Sequence, residues 1–191
     1  QYFGCVKVVI SEKPNIQFGI VCIESAEQVA PCIQNIDSFL CVSPVLSNIP
    51  HQCMIICHLG TFGYYYLNAA EILKYTDSGW TSKDLQQFTQ MVLTVFYPTI
   101  KDFFTEANGN WDASMISTIM CIGIFTDNHD IFNRAIERFY WGEGNSGITR
   151  YLYPGGQCQE TTRDWGHVQL GIGEFAKAAQ TANTQGLDFY S

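Results

Sequence analysis

Positive charge is scarce in this chain: ten Lys and Arg stand against eighteen Asp and Glu in 191 residues, a net charge of −8. Nucleic-acid recognition draws on a concentrated basic surface, so no nucleic-acid partner is expected. A site for any other anion has to be made locally, by a few cations or amides working against the overall field. Long apolar runs are missing too. The stretches Cys5–Ile10 and Ile16–Ile23 are interrupted or bounded by Lys7, Ser11, Glu12 and Pro14. They fall well short of the roughly 20 residues that cross a bilayer, and no membrane span is expected.

A second pair of metal ligands is lacking. Cys53-Met54-Ile55-Ile56-Cys57-His58 resembles half of a zinc site, while His51, His129 and His167 are scattered. Structural zinc takes two closely spaced ligand pairs, so neither a metal nor another cofactor is expected. Six of the eight cysteines precede His58. An even count permits disulfides in a secreted protein, although a chain of this length does not depend on them for a core. There is no initiator Met and no signal-peptide layout. Gln1 fits the residue left when a signal is removed, and equally the start of a piece of a longer chain; a secreted or periplasmic location is the expectation.

What the chain does have is core material, with 47% hydrophobic, 14% aromatic and 15% charged residues. That composition supports one domain or one lobe of a larger one and argues against disorder. Its character changes near His58, which sets the expected division into 1–57 and 58–191. In the first part Val6–Ser11 and Gln17–Ile23 are rich in β-branched residues and read as strands around a turn at Ser11–Asn15. Pro31, Pro44 and Pro50 interrupt any long helix there.

The second part reads as successive helices. Tyr64–Tyr75 ends at Asp77-Ser78-Gly79, and Ser82 is placed to cap a helix carrying Leu85, Phe88, Val92, Val95 and Phe96. Pro98 is expected to kink or divide that helix before a further piece, Ile100–Phe104. After Asn108-Gly109 a helix from Asp112 to Phe125 turns Met115, Ile116, Ile119 and Ile122 inward. Asp127 or Asn128 starts the next, with Ile131, Phe132, Ala135, Ile136 and Phe139. Thr161 or Thr162 is placed to cap a last helix from Arg163 to about Thr184, ended by Gly186. Short connections between helices point to antiparallel hairpins, which stack into a bundle, a solenoid or a toroid.

Two loop-to-helix junctions carry chemistry. At Asn108-Gly109-Asn110-Trp111-Asp112 a helix start supplies unpaired backbone N–H groups and a positive dipole end. Asn110 adds a neutral amide and Trp111 a plane on which a sugar can stack. The bland reading makes Asn-Gly a turn, Asp112 a first-turn acid and Trp111 core. At Gly156–Gly171 the helix spacing puts Arg163 and His167 on one face with Glu160 a turn earlier. Glu160 is then placed to fix the His167 tautomer and Arg163 to meet a carboxylate. Gly166, Gly171 and Gly173 each cost about 1 kcal/mol in a helix, which implies a close approach by backbone or ligand. The bland reading is an ordinary helix with an Arg–Glu pair and one polar histidine.

Gly63-Tyr64-Tyr65-Tyr66-Leu67-Asn68-Ala69-Ala70-Glu71-Ile72-Leu73, then Tyr75 and Ser78-Gly79-Trp80, resemble alginate-lyase-domain proteins. So do Asn108–Asp112, Gly156-Gln157-Cys158-Gln159-Glu160, Arg163-Asp164 and His167-Val168-Gln169-Leu170-Gly171, in that order. The resemblance covers roughly 58–191 and points to the branch of alginate and glucuronan lyases. It implies a mainly α fold, an (α/α) toroid or incomplete barrel of antiparallel helical hairpins with a groove across one end. It implies β-elimination on an anionic polysaccharide (alginate, polymannuronate or glucuronan). By that resemblance Asn110 neutralises the uronate carboxylate, His167 is base or partner of the base, Glu160 orients His167, and Arg163 lies in or beside the site. Trp111, Tyr65, Gln157 and Trp165 are the candidates for contact with the sugar. The family also uses a tyrosine, expected in a helical region after Ser191. Two other readings compete: a carbohydrate-binding module using Tyr65, Trp111 and Trp165 without turnover, and a glycoside hydrolase with Asp112 and Glu160 as paired carboxylates.

Overall fold

The computed structural model describes residues 6–10, 18–22 and 51–190. Contacts divide the chain into two units, Gln1–Ile55 and Ile56–Ser191. In the first, β1 (Val6–Ile10) pairs antiparallel with β2 (Phe18–Cys22), in the register Val6 to Cys22 and Ile10 to Phe18. The β-branched runs thus form the two strands. The turn expected at Ser11–Asn15 and the side chains of Cys53 and Cys57 lie outside the described residues.

The second unit is helical. Its order is α1 (His51–Tyr75), α2 (Ser82–Met91), a π-helical turn Val92–Phe96, α3 (Tyr97–Ile100), α4 (Gly109–Phe125), α5 (His129–Trp141), a single turn α6 (Ile148–Tyr151) and α7 (Trp165–Thr184). α1 starts before the expected Tyr64. The cap of α2 is Thr81 rather than Ser82: its hydroxyl accepts from Asp84 N–H at 3.2 Å while the Asp84 carboxylate accepts from Thr81 N–H at 2.8 Å. That reciprocal pair satisfies two orphan donors at once. Asn128 caps α5, accepting from Ile131 N–H at 3.1 Å.

Pro98 does divide its helix, with the π-helical turn directly before it. The expected helix at Ile100–Phe104 is absent, because other elements take its backbone groups. The Lys101 carbonyl accepts from Arg134 Nε at 3.0 Å and Nη2 at 2.7 Å, and Phe104 N–H donates to Asp112 Oδ1 at 2.9 Å. Between them Phe103 turns into the left-handed region at φ 59°, with the Arg138 guanidinium 4.6 Å from its ring centre.

α4 is the centre of this unit, and residues 112–123 are buried without exception. A helix that is apolar all round belongs in an interior. α1 lies against it at closest range where both helices are small. A Cβ at Gly60 would fall 2.5 Å from Ser114 Oγ, and one at Gly63 would fall 2.6 Å from Thr118 Cγ2. Further along, Asn68 meets Cys121 and Lys74 Nζ donates to Phe125 O at 3.2 Å. Contact numbers rise together in both helices, so α1 and α4 run parallel. The same holds for α7, which meets α4 from Asn110 beside Gly171 to Cys121 beside Thr181. α5 returns antiparallel: Gly123 abuts the Phe132 backbone while Asp112 pairs with Arg138. Tyr66 facing Phe96 sets the α2 segment antiparallel to α1.

Arg138 donates from Nε (3.0 Å) and Nη2 to Asp112 Oδ2, whose side chain is only 2% exposed. Removing one partner of a buried pair strands the other charge. Arg138→Ala is therefore expected to lower the unfolding free energy by roughly 3–5 kcal/mol in urea titrations. Lys101→Ala, which breaks only the exposed contact to Asp102, is expected to stay within about 0.5 kcal/mol.

Candidate active site

The starts of α4 and α7 lie at the same end of the helical unit, because the two helices are parallel and in contact near their first turns. Gly171 is the notch that lets them close. A Cβ there would fall 1.8 Å from the Tyr151 hydroxyl and 3.1 Å from Asn110 Cβ. Tyr151 is fully buried, and its hydroxyl makes no hydrogen bond to nitrogen or oxygen but sits beside the Cys158 thiol. Burial is the main cause that pushes that hydroxyl well above its ordinary titration range. It stays protonated, as the wedge between the two helix starts.

The two sequence motifs prove to be one assembly. Gln159 Oε1 accepts from Gly109 N–H at 2.7 Å, while its Nε2 donates to Asn145 O (2.8 Å) and Arg150 O (3.1 Å). Glu160, wholly buried, accepts from Asn108 Nδ2 at 2.9 Å and faces Arg163 Nη1 at 3.5 Å. Gly109 admits this contact, since a Cβ there would lie 2.6 Å from Asn145 O. The Gly156–Glu160 stretch therefore holds the start of α4, and with it Asn110. Asn110 is 3% exposed, and its Oδ1 accepts from Trp111 N–H at 3.0 Å.

The expected start of α7 has to be corrected. Neither Thr161 nor Thr162 caps it, and Arg163 is not helical; Asp164 is the N-cap and Trp165 the first residue. Thr161 instead accepts from Cys158 N–H at 2.8 Å. Glu160, Arg163 and His167 thus share no helix face, and Glu160 does not orient His167. That partner is Asp164: Oδ1 accepts from His167 N–H at 2.9 Å, and Oδ2 lies 2.6 Å from His167 Nδ1. The His167 N–H bond is the leading cause that holds the Asp164 carboxyl below its ordinary range. Arg163, about half exposed, adds its Nε at 3.8 Å from Asp164 Oδ2. The signal for Asp164 was present as a capping residue three before His167, but nearby threonines are also able caps.

The remaining predicted residues scatter. His167 stands one turn of α7 before Gly171, about 6 Å along the axis, so Asn110 and His167 belong to the same end. Trp165 is 73% exposed beside it, and Trp111 stacks on Phe104 at 5.3 Å. Gln157 is exposed in the turn where Tyr153 N–H donates to its carbonyl at 2.8 Å. Tyr65 lies elsewhere: its ring is 4.6 Å from Lys177 Nζ, and Lys177 is some 15 Å along α7 from His167. Asp112 and Glu160 are both buried and ion-paired, 1% and 0% exposed. Neither is open to a sugar, which removes the basis of the hydrolase reading.

Fold and cluster together define a helical protein with an amide donor and an imidazole–carboxylate pair at one end of two parallel helices. A family model, described as alginate lyase, matches residues 46–191. The chain belongs to the alginate lyase family, a family of polysaccharide lyases acting on anionic polysaccharide. Neither a curated protein nor a solved structure matches it.

The notch yields a paired prediction. Gly173 has open space around its would-be Cβ, so Gly173→Ala is expected to raise stability by up to about 1 kcal/mol. Gly171→Ala is expected to lower it by roughly 1–3 kcal/mol through overpacking against Tyr151. Thermal melts of the two variants beside the native chain check both signs.

Further along the same interface Glu174 is 1% exposed, with Oε1 2.8 Å from Lys177 Nζ and Oε2 buried without a partner. Burial raises its carboxyl above the ordinary range, in spite of Lys177 and Ser117. An acid whose folded-state pKa is raised favours folding while protonated. That contribution is lost as pH climbs from the unfolded-chain value through the folded one. Relative to the native chain, Glu174→Gln is expected to gain in urea midpoint as pH rises above the ordinary carboxylate range, and the difference between the two chains is what urea titrations along a pH series read.

Proposed function

We propose that the chain is a lyase that cleaves a uronate polymer (alginate, polymannuronate or glucuronan) by β-elimination at the start of α4 and α7. The observation that carries this reading is His167, held by Asp164 one turn from the contact of Asn110 with Gly171. Elimination needs the uronate carboxylate neutralised so that the C5 proton becomes acidic. Asn110 Nδ2 supplies a neutral donor, Arg163 a cation beside the site, and the two helix starts two positive dipole ends. These local groups offset the net charge of −8. His167 takes the C5 proton, the electron pair forms the C4–C5 double bond, and the glycosidic oxygen departs with a proton from an acid. An imidazole suits proton transfer near neutral pH.

Fold, location and contact surfaces complete the proposal. Parallel α1, α4 and α7 with antiparallel returning helices support a toroid or part of one, with its groove at the end where α4 and α7 begin. Exposed Trp165 and the Trp111–Phe104 stack offer planes for sugar rings beside that groove. Among the described residues no helix is long and apolar enough to cross a membrane. A polymer of this kind is met outside the cell, so we place the protein as secreted or periplasmic.

Incubation with alginate, polymannuronate and glucuronan, each alone, is expected to raise the ultraviolet absorbance of an unsaturated uronate on at least one of them. His167→Ala is expected to reduce that rate by about 10²–10⁴-fold. A folded chain that binds a polymer and produces no rise on any of the three would overturn the lyase reading in favour of a binding module.

A further inference from the structure

We propose that Asp164 is the positioning residue for His167: one carboxylate caps α7 and also fixes which ring nitrogen carries the proton. The assignment deepens the reading of His167 as proton acceptor and rests on it for its catalytic consequence, although the geometry stands by itself. Both oxygens are in use. Oδ1 takes the backbone N–H of His167 at 2.9 Å, and Oδ2 faces Nδ1 of the same residue at 2.6 Å. The carboxylate, with no proton of its own to give, only accepts, so the short contact requires the proton on Nδ1. In the neutral ring the lone pair is then on Nε2, on the far side of the imidazole.

Among the described residues no other group is placed for that role. Glu160 is wholly buried and occupied by Asn108 and Arg163. Arg163 approaches Asp164 Oδ2 only at 3.8 Å. His167 itself is about one-third exposed, and Nε2 is the ring nitrogen that Asp164 does not engage. Orientation of a base by a carboxylate on its other nitrogen is the general logic of imidazole catalysis.

Asp164→Asn separates the two jobs, because asparagine caps a helix as well as aspartate does. The variant is expected to keep the melting temperature and far-ultraviolet circular dichroism of the native chain. Long-range ¹⁵N–¹H correlation on the native chain is expected to show neutral His167 with its proton on Nδ1. In Asp164→Asn the carboxamide can donate to Nδ1, and the proton is expected on Nε2. On a polymer that the native chain cleaves, kcat is expected to fall on the order of 10²–10⁴-fold, with KM within about twofold. Retention of kcat by Asp164→Asn would reduce Asp164 to a cap and overturn the proposal. So would a native His167 protonated on Nε2, whether or not the chain turns over. A native chain with no turnover but the expected tautomer and the switch in Asp164→Asn would sink the lyase reading and leave the positioning assignment standing.

Discussion

Everything else in the helical unit answers to the enclosure of α4. A helix buried along its length has no water to satisfy the polar groups it carries, so each must find a partner inside the protein. Ser114 and Ser117 donate back to carbonyls of their own helix, and Thr118 donates to the Gly60 carbonyl of α1 at 2.6 Å. Asp112 is met by Arg138 and by Phe104 N–H. Gly60, Gly63 and Gly123 are the residues that let neighbouring backbones come close enough to complete the shell. The direction of α1 and α7, and hence the side on which two helix starts coincide, follows from how they pack on α4.

The site inherits its order from that packing. Asn110 cannot move independently: the helix it starts is fixed by its surroundings and its first turn is clamped by Gln159 and Glu160. His167 is held from the other side by Asp164. Two motifs fifty residues apart in sequence are thus the two halves of one support, and the wedge of Tyr151 in the notch of Gly171 sets the gap between them.

Much of this was legible in the residues. Apolar spacing located α4 and α5 and their inward faces, and Asn108-Gly109 and Gly142–Gly147 marked their limits. The β-branched runs marked the two strands. What was not legible depends on distant groups. Ile100–Phe104 has helix-compatible composition, but Arg134 and Asp112 capture its backbone. The start of α7 offered three able caps, and choosing a threonine put Arg163 on the helix and Glu160 in phase with His167. Moving that start to Trp165 breaks the phase and exposes the shorter partnership with Asp164. Tyr65 shared a motif with the rest of the family signature, yet it meets α7 at Lys177, ten residues beyond His167. The closeness of Asn110 to Gly171 follows from the packing of α7 on α4, which no local spacing encodes. The family resemblance, unlike spacing, grouped these motifs at one place.

The clamp on α4 has a kinetic side. Its hydrogen bonds from Gln159 and Glu160 join residues 50 and 52 positions apart, whereas α4 and α5 meet across the short turn at Thr126–Asn128. Closing a long loop costs entropy before any bond rewards it, so the hairpin can assemble first and the clamp afterwards. Leu152 to Gln157, which lead into the clamp, are all exposed, the character of a region that opens locally ahead of the whole. Competence would then be acquired late in folding and surrendered early on heating, while the helical content of the chain is still intact.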